Sequence, residues 1–68
     1  MSSLVKVIEV IAQSETSFDD AVEKAVEEVT KTVDNVKEIW VSSMKGIVEN
    51  NRIVEYRITG KVSFVVNR

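Results

Sequence analysis

Between Phe18 and Val33 the apolar residues Phe18, Ala21, Val22, Ala25, Val26, Val29 and Val33 recur at steps of three and four. That spacing draws one apolar stripe along a helix of about four turns. Asp20, Glu23, Lys24, Glu27, Glu28 and Lys31 fill the opposite side. The valines lower the intrinsic propensity of this helix, so packing on a sheet must hold it. Thr16 or Ser17 supplies the N-cap oxygen. Asp19 and Asp20 suit the positive end of the helix dipole, and Asp34-Asn35 is the expected stop.

The flanking segments supply the sheet. Leu4 to Ile11 is short and rich in β-branched residues, which predicts a strand, and Gln13-Ser14-Glu15-Thr16 reads as a polar connection. Lys37 to Val48 is a second strand and Ile53 to Val66 a long third one. Glu49-Asn50-Asn51-Arg52 between them is a hairpin connection, because Asn tolerates the positive φ of tight turns. In the third strand Val54, Tyr56, Ile58, Gly60, Val62, Phe64 and Val66 form the face expected on the helix. The odd positions, Arg57, Thr59, Lys61 and Ser63 among them, form a polar face. In the second strand Ile39 and Val41 suit the core, while Glu38, Trp40, Ser42 and Met44 are expected to share the opposite face. Ser43 and Lys45 break the apolar pattern, so this strand is expected to run past the helix toward another subunit. The fold class is α+β: a β-α-β-β subunit, one domain of residues 1–68, with a three-stranded antiparallel sheet packed on one amphipathic helix. These residues do not fix the strand order, but placing the third strand in the middle lets it pair antiparallel with both others, and a right-handed crossover suits the helix.

Length then sets the assembly. A chain of 68 residues buries only about 60% of the surface its unfolded form exposes. Without cysteine or histidine, disulfides and the usual zinc sites are excluded as reinforcement. Association remains, and the absence of proline leaves strand edges unguarded against other chains. The formal net charge of −2 argues against a nucleic-acid partner. The run Val7 to Ala12 is too short for a bilayer and is broken by Glu9. Met1 to Lys6 lacks the basic start and apolar run of a signal peptide, so a cytoplasmic setting with no membrane partner is expected. Residues 1–36 carry three Lys and eight Asp/Glu, whereas residues 37–68 carry six Lys/Arg and three Glu. The basic strands are either solvated surface or a face for an anionic ligand or acidic neighbour.

No enzyme is expected. Without His or Cys only Ser-Lys or carboxylate schemes remain. Ser43 and Lys45 point one way along a strand and Ser42 the other, and Glu23 and Glu27 face water, where nothing raises a carboxyl pKa. Gly46 and Gly60 are isolated, which suits a bulge or a close approach better than a phosphate loop. Trp40 either fills a contact between subunits or walls an aromatic ligand site. Arg57 is either a solvated or ion-paired surface residue or a polar anchor for an anion or heterocycle. A metal ligand set is left open, since calcium could bind carboxylates that only assembly gathers.

The opening Val5-Lys6-Val7-Ile8-Glu9-Val10-Ile11-Ala12-Gln13-Ser14, the helix end Thr30-Lys31-Thr32-Val33-Asp34-Asn35-Val36, the middle Met44-Lys45-Gly46-Ile47 and the close Glu55-Tyr56-Arg57-Ile58-Thr59-Gly60-Lys61-Val62-Ser63-Phe64-Val65-Val66 together resemble the dodecins. The resemblance covers nearly the whole chain without gaps, through length, order and spacing more than any one motif. It implies a hollow homododecamer of cubic symmetry, without catalysis, that binds and stores flavin (riboflavin or FMN) stacked in pairs against tryptophans at subunit contacts. A coenzyme A site and a calcium-binding subclass also belong to that family. The alternative is a dodecin-like assembly without flavin, holding another ligand or a metal ion or acting as a structural module. The position of the stacking tryptophan falls on Glu38, with Trp40 two residues later, and that of the flavin-bonding glutamine falls on Arg57. Lys45 keeps the basic character of the family's arginine before glycine. The resemblance therefore makes Glu38, Trp40, Lys45 and Arg57 the candidate cofactor-binding residues.

Overall fold

The structure, a computed structural model, describes residues 3–67, apart from the side chains of Ser3 and Asn67. Met1 and Ser2, part of the start read above against a signal peptide, and Arg68, counted in the basic half, lie outside the described residues. The elements run β1 (Ser3–Ser14), α1 (Phe18–Thr30), β2 (Val36–Glu49) and β3 (Arg52–Asn67). The sheet order is β1-β3-β2, with both pairings antiparallel. The β-α-β-β order and the antiparallel sheet are as expected, and the pairings put the third strand in the middle, an order the sequence left open.

Two boundaries differ. Gln13 and Ser14 belong to β1 instead of the connection, because Gln13 pairs with Arg57 and Ser14 with Tyr56. The helix stops at Thr30 rather than at Asp34-Asn35. Thr30 back-bonds its hydroxyl to the Glu27 carbonyl, and the β-branched Thr32 and Val33 that follow are weak helix formers. The amide of Val33 still reaches the Val29 carbonyl, and Asn35, at φ 62°, donates its side-chain amide to the Val65 carbonyl. The hairpin is the expected one: Asn50 and Asn51 have φ of 53° and 62° and separate the paired Glu49 and Arg52, the two-residue turn whose twist matches its strands.

Ser17 is the N-cap, accepting from the Asp20 amide. Ser14 is nearly buried beneath it. Its hydroxyl donates to Asp20 Oδ2 at 2.6 Å and accepts from the amides of Thr16 at 2.9 Å and Ser17 at 3.4 Å. The Ser14 hydroxyl, and then Lys24 at 3.2 Å, hold the Asp20 carboxyl below the usual carboxylate range. Ser14→Ala strands two amides and is expected to cost about 1–3 kcal/mol of stability. The Asp20 carboxyl should move back toward its ordinary titration range in the same variant. Denaturant melts and a carboxyl NMR titration check the two effects.

The core is small. Among the described residues, Ala21, Ala25 and Val29 of α1 and Ile58 and Val62 of β3 are the buried apolar ones. Val10, Ala12, Phe18, Val22, Ile39 and Val41 pack around them, and Phe18 meets Tyr56 edge-on at 5.1 Å. Gly60 has a steric role, since a Cβ there would lie 3.2 Å from Ile39 Cδ1.

Three register shifts decide which side chains share a face. They fall between Val36 and Glu38, between Val41 and Ser43, and between Ile47 and Val48. Before the second, Ile39 and Val41 lie on the helix side, opposite Val62 and Gly60. Beyond it Met44 pairs with Ile58 and Lys45 with Arg57. Met44 therefore lies on the helix side of the sheet, which corrects its expected place beside Trp40. One unpaired residue, Ser42, reverses the alternation. The third shift likewise puts Ile53 opposite Val48 and against Gly46, so Ile53 joins the helix side and the simple even-odd reading of β3 ends at Val54.

Candidate functional site

The sheet face turned away from α1 is built as rows across β1, β3 and β2. Val7, Ser63 and Glu38 form one row and Glu9, Lys61 and Trp40 the next. Ile11, Thr59 and Ser43 follow, then Gln13, Arg57 and Lys45. All four candidate residues, Glu38, Trp40, Lys45 and Arg57, thus lie on this outer face. They divide into two groups. Glu38 and Arg57 are six residues apart in the frame of β3, which is roughly 20 Å along a strand.

At one end Trp40 is 66% exposed. The Lys61 ammonium lies 5.6 Å from its ring centroid, within cation–π range. Val7, Glu38, Trp40, Lys61 and Ser63 line a hollow of about 360 Å³. Ser63 is buried at its floor, on the face expected to be polar and open. The wall is an indole and the rim carries one cation and one anion, which suits a flat ring with a polar edge.

At the other end Arg57 is half-buried and held by a residue that reading along the chain missed. Its Nε and Nη2 donate to the one Oε1 of Gln13, at 2.8 and 2.6 Å. Glu55 Oε1 lies 3.6 Å from Nη2, buried and without a hydrogen bond. Lys45 is exposed on the far side of Arg57. Only the antiparallel register could have revealed Gln13, which is 44 residues from Arg57 in sequence.

Other chemistry does not come together in one chain. Ser43 and Lys45 share the outer face on adjacent rows, about 6.5 Å apart along the strand, with neither histidine nor cysteine beside them. Among the described residues no three carboxylates gather to hold a metal ion. A groove of about 440 Å³ runs between β1 and α1, past Ala12, Lys24, Ala25 and Glu28, with no aromatic wall. No helix of the described residues is long and apolar enough to cross a membrane.

Comparison with known proteins bears on this geometry. The family model described as Dodecin matches residues 4–67. Among solved structures, the chain is similar to a calcium-chelating antigen of Mycobacterium tuberculosis, a calcium dodecin with a calcium-binding site, at 33% identity. That match covers 90% of this chain and 87% of the other, with a TM-score of 0.80. The dodecin of Streptomyces coelicolor is 23% identical over 97% of this chain and 94% of its own, with a TM-score of 0.91. A dodecin variant of T. thermophilus is 21% identical over 98% and 100%, with a TM-score of 0.92. These last two carry the fold alone. A comparison with curated proteins finds no match.

Proposed function

The chain belongs to the dodecin family, whose role is non-catalytic, and from that premise we propose that it is a small-molecule binding and storage protein. In this reading residues 1–68 form one domain that assembles into a hollow cytoplasmic dodecamer. The ligand is a flavin, riboflavin or FMN, with its ring against Trp40. The exposed indole of Trp40 beside a polar-rimmed hollow is the observation that carries this. When bound, the isoalloxazine supplies a planar, light-absorbing ring. The residues of this chain hold it: Trp40 offers a stacking face, Glu38 and Lys61 flank it, and Ser63 closes the floor. The separation of Glu38 from Arg57 means that one compact ring cannot touch both positions in a single copy, so a ring bonded at both would lie where two subunits meet.

Binding is tested by purifying the protein without added ligand, recording its absorption spectrum and solution mass, then titrating riboflavin against Trp40 fluorescence. Quenching is expected. Trp40→Ala should weaken binding by about 1–3 kcal/mol, the usual worth of stacking a flat base on an aromatic ring. Glu38→Trp should tighten it. Tight riboflavin binding that ignores both substitutions would place the ring elsewhere.

A second reading is favoured by two observations: Glu38 and Arg57 stand at the family's tryptophan and glutamine positions, and the M. tuberculosis relative is a calcium-chelating protein. In this reading the assembly holds another ligand or a calcium ion, and Trp40 fills a subunit contact. Trp40→Ala would then loosen the particle with no flavin binding to lose.

A further inference from the structure

Two separate surfaces of one chain match each other in chemistry. The first is the arm of β2 and β3 beyond Tyr56. The register shifts gather Met44, Val48 and Ile53 on its helix side, since Met44 pairs with Ile58, Gly46 with Tyr56 and Val48 with Ile53. All three are exposed. Glu49 and Arg52 pair at the tip. Among the described residues Arg52 has no ion-pair partner. The second surface is the groove of about 440 Å³ between β1 and α1. Val10, Ala12, Ala25 and Val29 make its apolar floor, and Lys24, Glu27 and Glu28 stand on its rim. β1 is an edge strand, so its outer side offers unpaired backbone groups to an extended segment. On the rim Lys24 meets Asp20 and Glu28 meets Lys31. Among the described residues Glu27 has no ion-pair partner.

We propose that this groove receives the arm of a second copy, with Val48 and Ile53 over Ala25 and Val29, Arg52 against Glu27, and Glu49 toward Lys24. The arm of the same chain cannot fill it, because that arm continues past the end of β1, away from Val10 and Ala12. Charge selects the occupant. The tip carries one cation and one anion, and the rim answers both signs with an unpaired carboxylate and a lysine. The apolar strip of the arm finds an apolar floor, and its extended backbone lies beside an open strand edge. Arm and groove are different surfaces, so the contact is heterologous, and a closed particle needs it to return on itself as a ring. The inference rests on the assembly in the reading above and not on its ligand.

The test is a charge swap read by sedimentation at falling protein concentration. Arg52→Glu and Glu27→Arg should each move dissociation of the particle to about tenfold or more higher protein concentration, the effect of setting like charges face to face. The double variant, Arg52→Glu with Glu27→Arg, should bring it back most of the way. Thiol cross-linking locates the contact independently, because the chain has no cysteine. Val48→Cys with Glu28→Cys should be joined between copies by a short bismaleimide, whereas neither single variant should be. Single reversals without effect, or a double variant no better than its parents, overturn the inference. So does cross-linking of Val48→Cys alone, which would set arm against arm. In each of those cases a wild-type particle many times the mass of one chain leaves the assembly standing. A wild-type chain that sediments as a stable monomer overturns both.

Discussion

Ile58→Ala should destabilise the protein by about 2–5 kcal/mol, the cost of emptying a leucine-sized volume in a core. Ile58 has no exposed surface and lies between the helix residues Ala21 and Ala25 and the sheet. The cavity cannot be filled from the helix side, because two alanines have no atoms to reach into it. Nor can the helix settle inward freely, since Phe18 is braced on Tyr56 at one end and Val29 is packed at the other. The loss also falls on a small total, with five apolar residues buried among those described. Ile58→Val should cost only about 0.5–1.5 kcal/mol. Denaturant midpoints measured by circular dichroism, at one protein concentration for all variants, give the comparison. An alanine variant with the wild-type midpoint would mean that the stabilising burial lies elsewhere.

The second large effect is on assembly. The free chain should have no stable monomer, and Ile53→Asp should break the particle. A compact domain of this length has a radius of gyration near 11 Å, whereas this chain has 14.2 Å and extends 55 × 20 × 13 Å. The cause is a mismatch of lengths. The 13 residues of α1 cover about 20 Å, while the 16 of β3 run about 53 Å. Beyond the pairing of Ser14 with Tyr56, β1 has ended and only β2 and β3 continue. Such a two-stranded arm is marginal in water by itself, yet it exposes Val48, Ile53 and Val54. A neighbouring copy that covers the arm both holds it and hides these residues. A charge at Ile53 opposes that burial without touching the core. Sedimentation should find the wild type at many times 7.6 kDa, and Ile53→Asp in smaller species with diminished stability. A compact, stable wild-type monomer at micromolar concentration would sink the argument. So would an Ile53→Asp particle of unchanged size.

Periodicity alone marked the elements, though not the ends of β1 and α1 or the order of the strands. Steps of three and four from Phe18 marked the helix and the stripe that carries Ala21, Ala25 and Val29. Alternation from Tyr56 to Phe64 marked a strand with Ile58 and Val62 facing inward, and Asn50-Asn51 marked the turn. These signals are local, because a residue's face follows from its distance to neighbours on the same element. The missing cysteine and histidine pointed to association by the same kind of direct reading.

Only the tertiary structure decided how the strands are registered, and the site depends on it. Leaving Ser42 unpaired turned Met44 to the helix side and put Lys45 on the same face as Arg57. Alternation cannot announce such a slip, because each half of a bulged strand alternates correctly within itself. Gln13 became the partner of Arg57, and Ser63 the floor beneath Trp40 and Glu38, through pairings across strands far apart in sequence. The same register separated Glu38 from Arg57 and set Trp40 and Arg57 two rows apart on one face. Side-chain periodicity is a property of one strand, whereas a binding face is a property of strands held in register by hydrogen bonds between them, and that register exists only once the chain has folded.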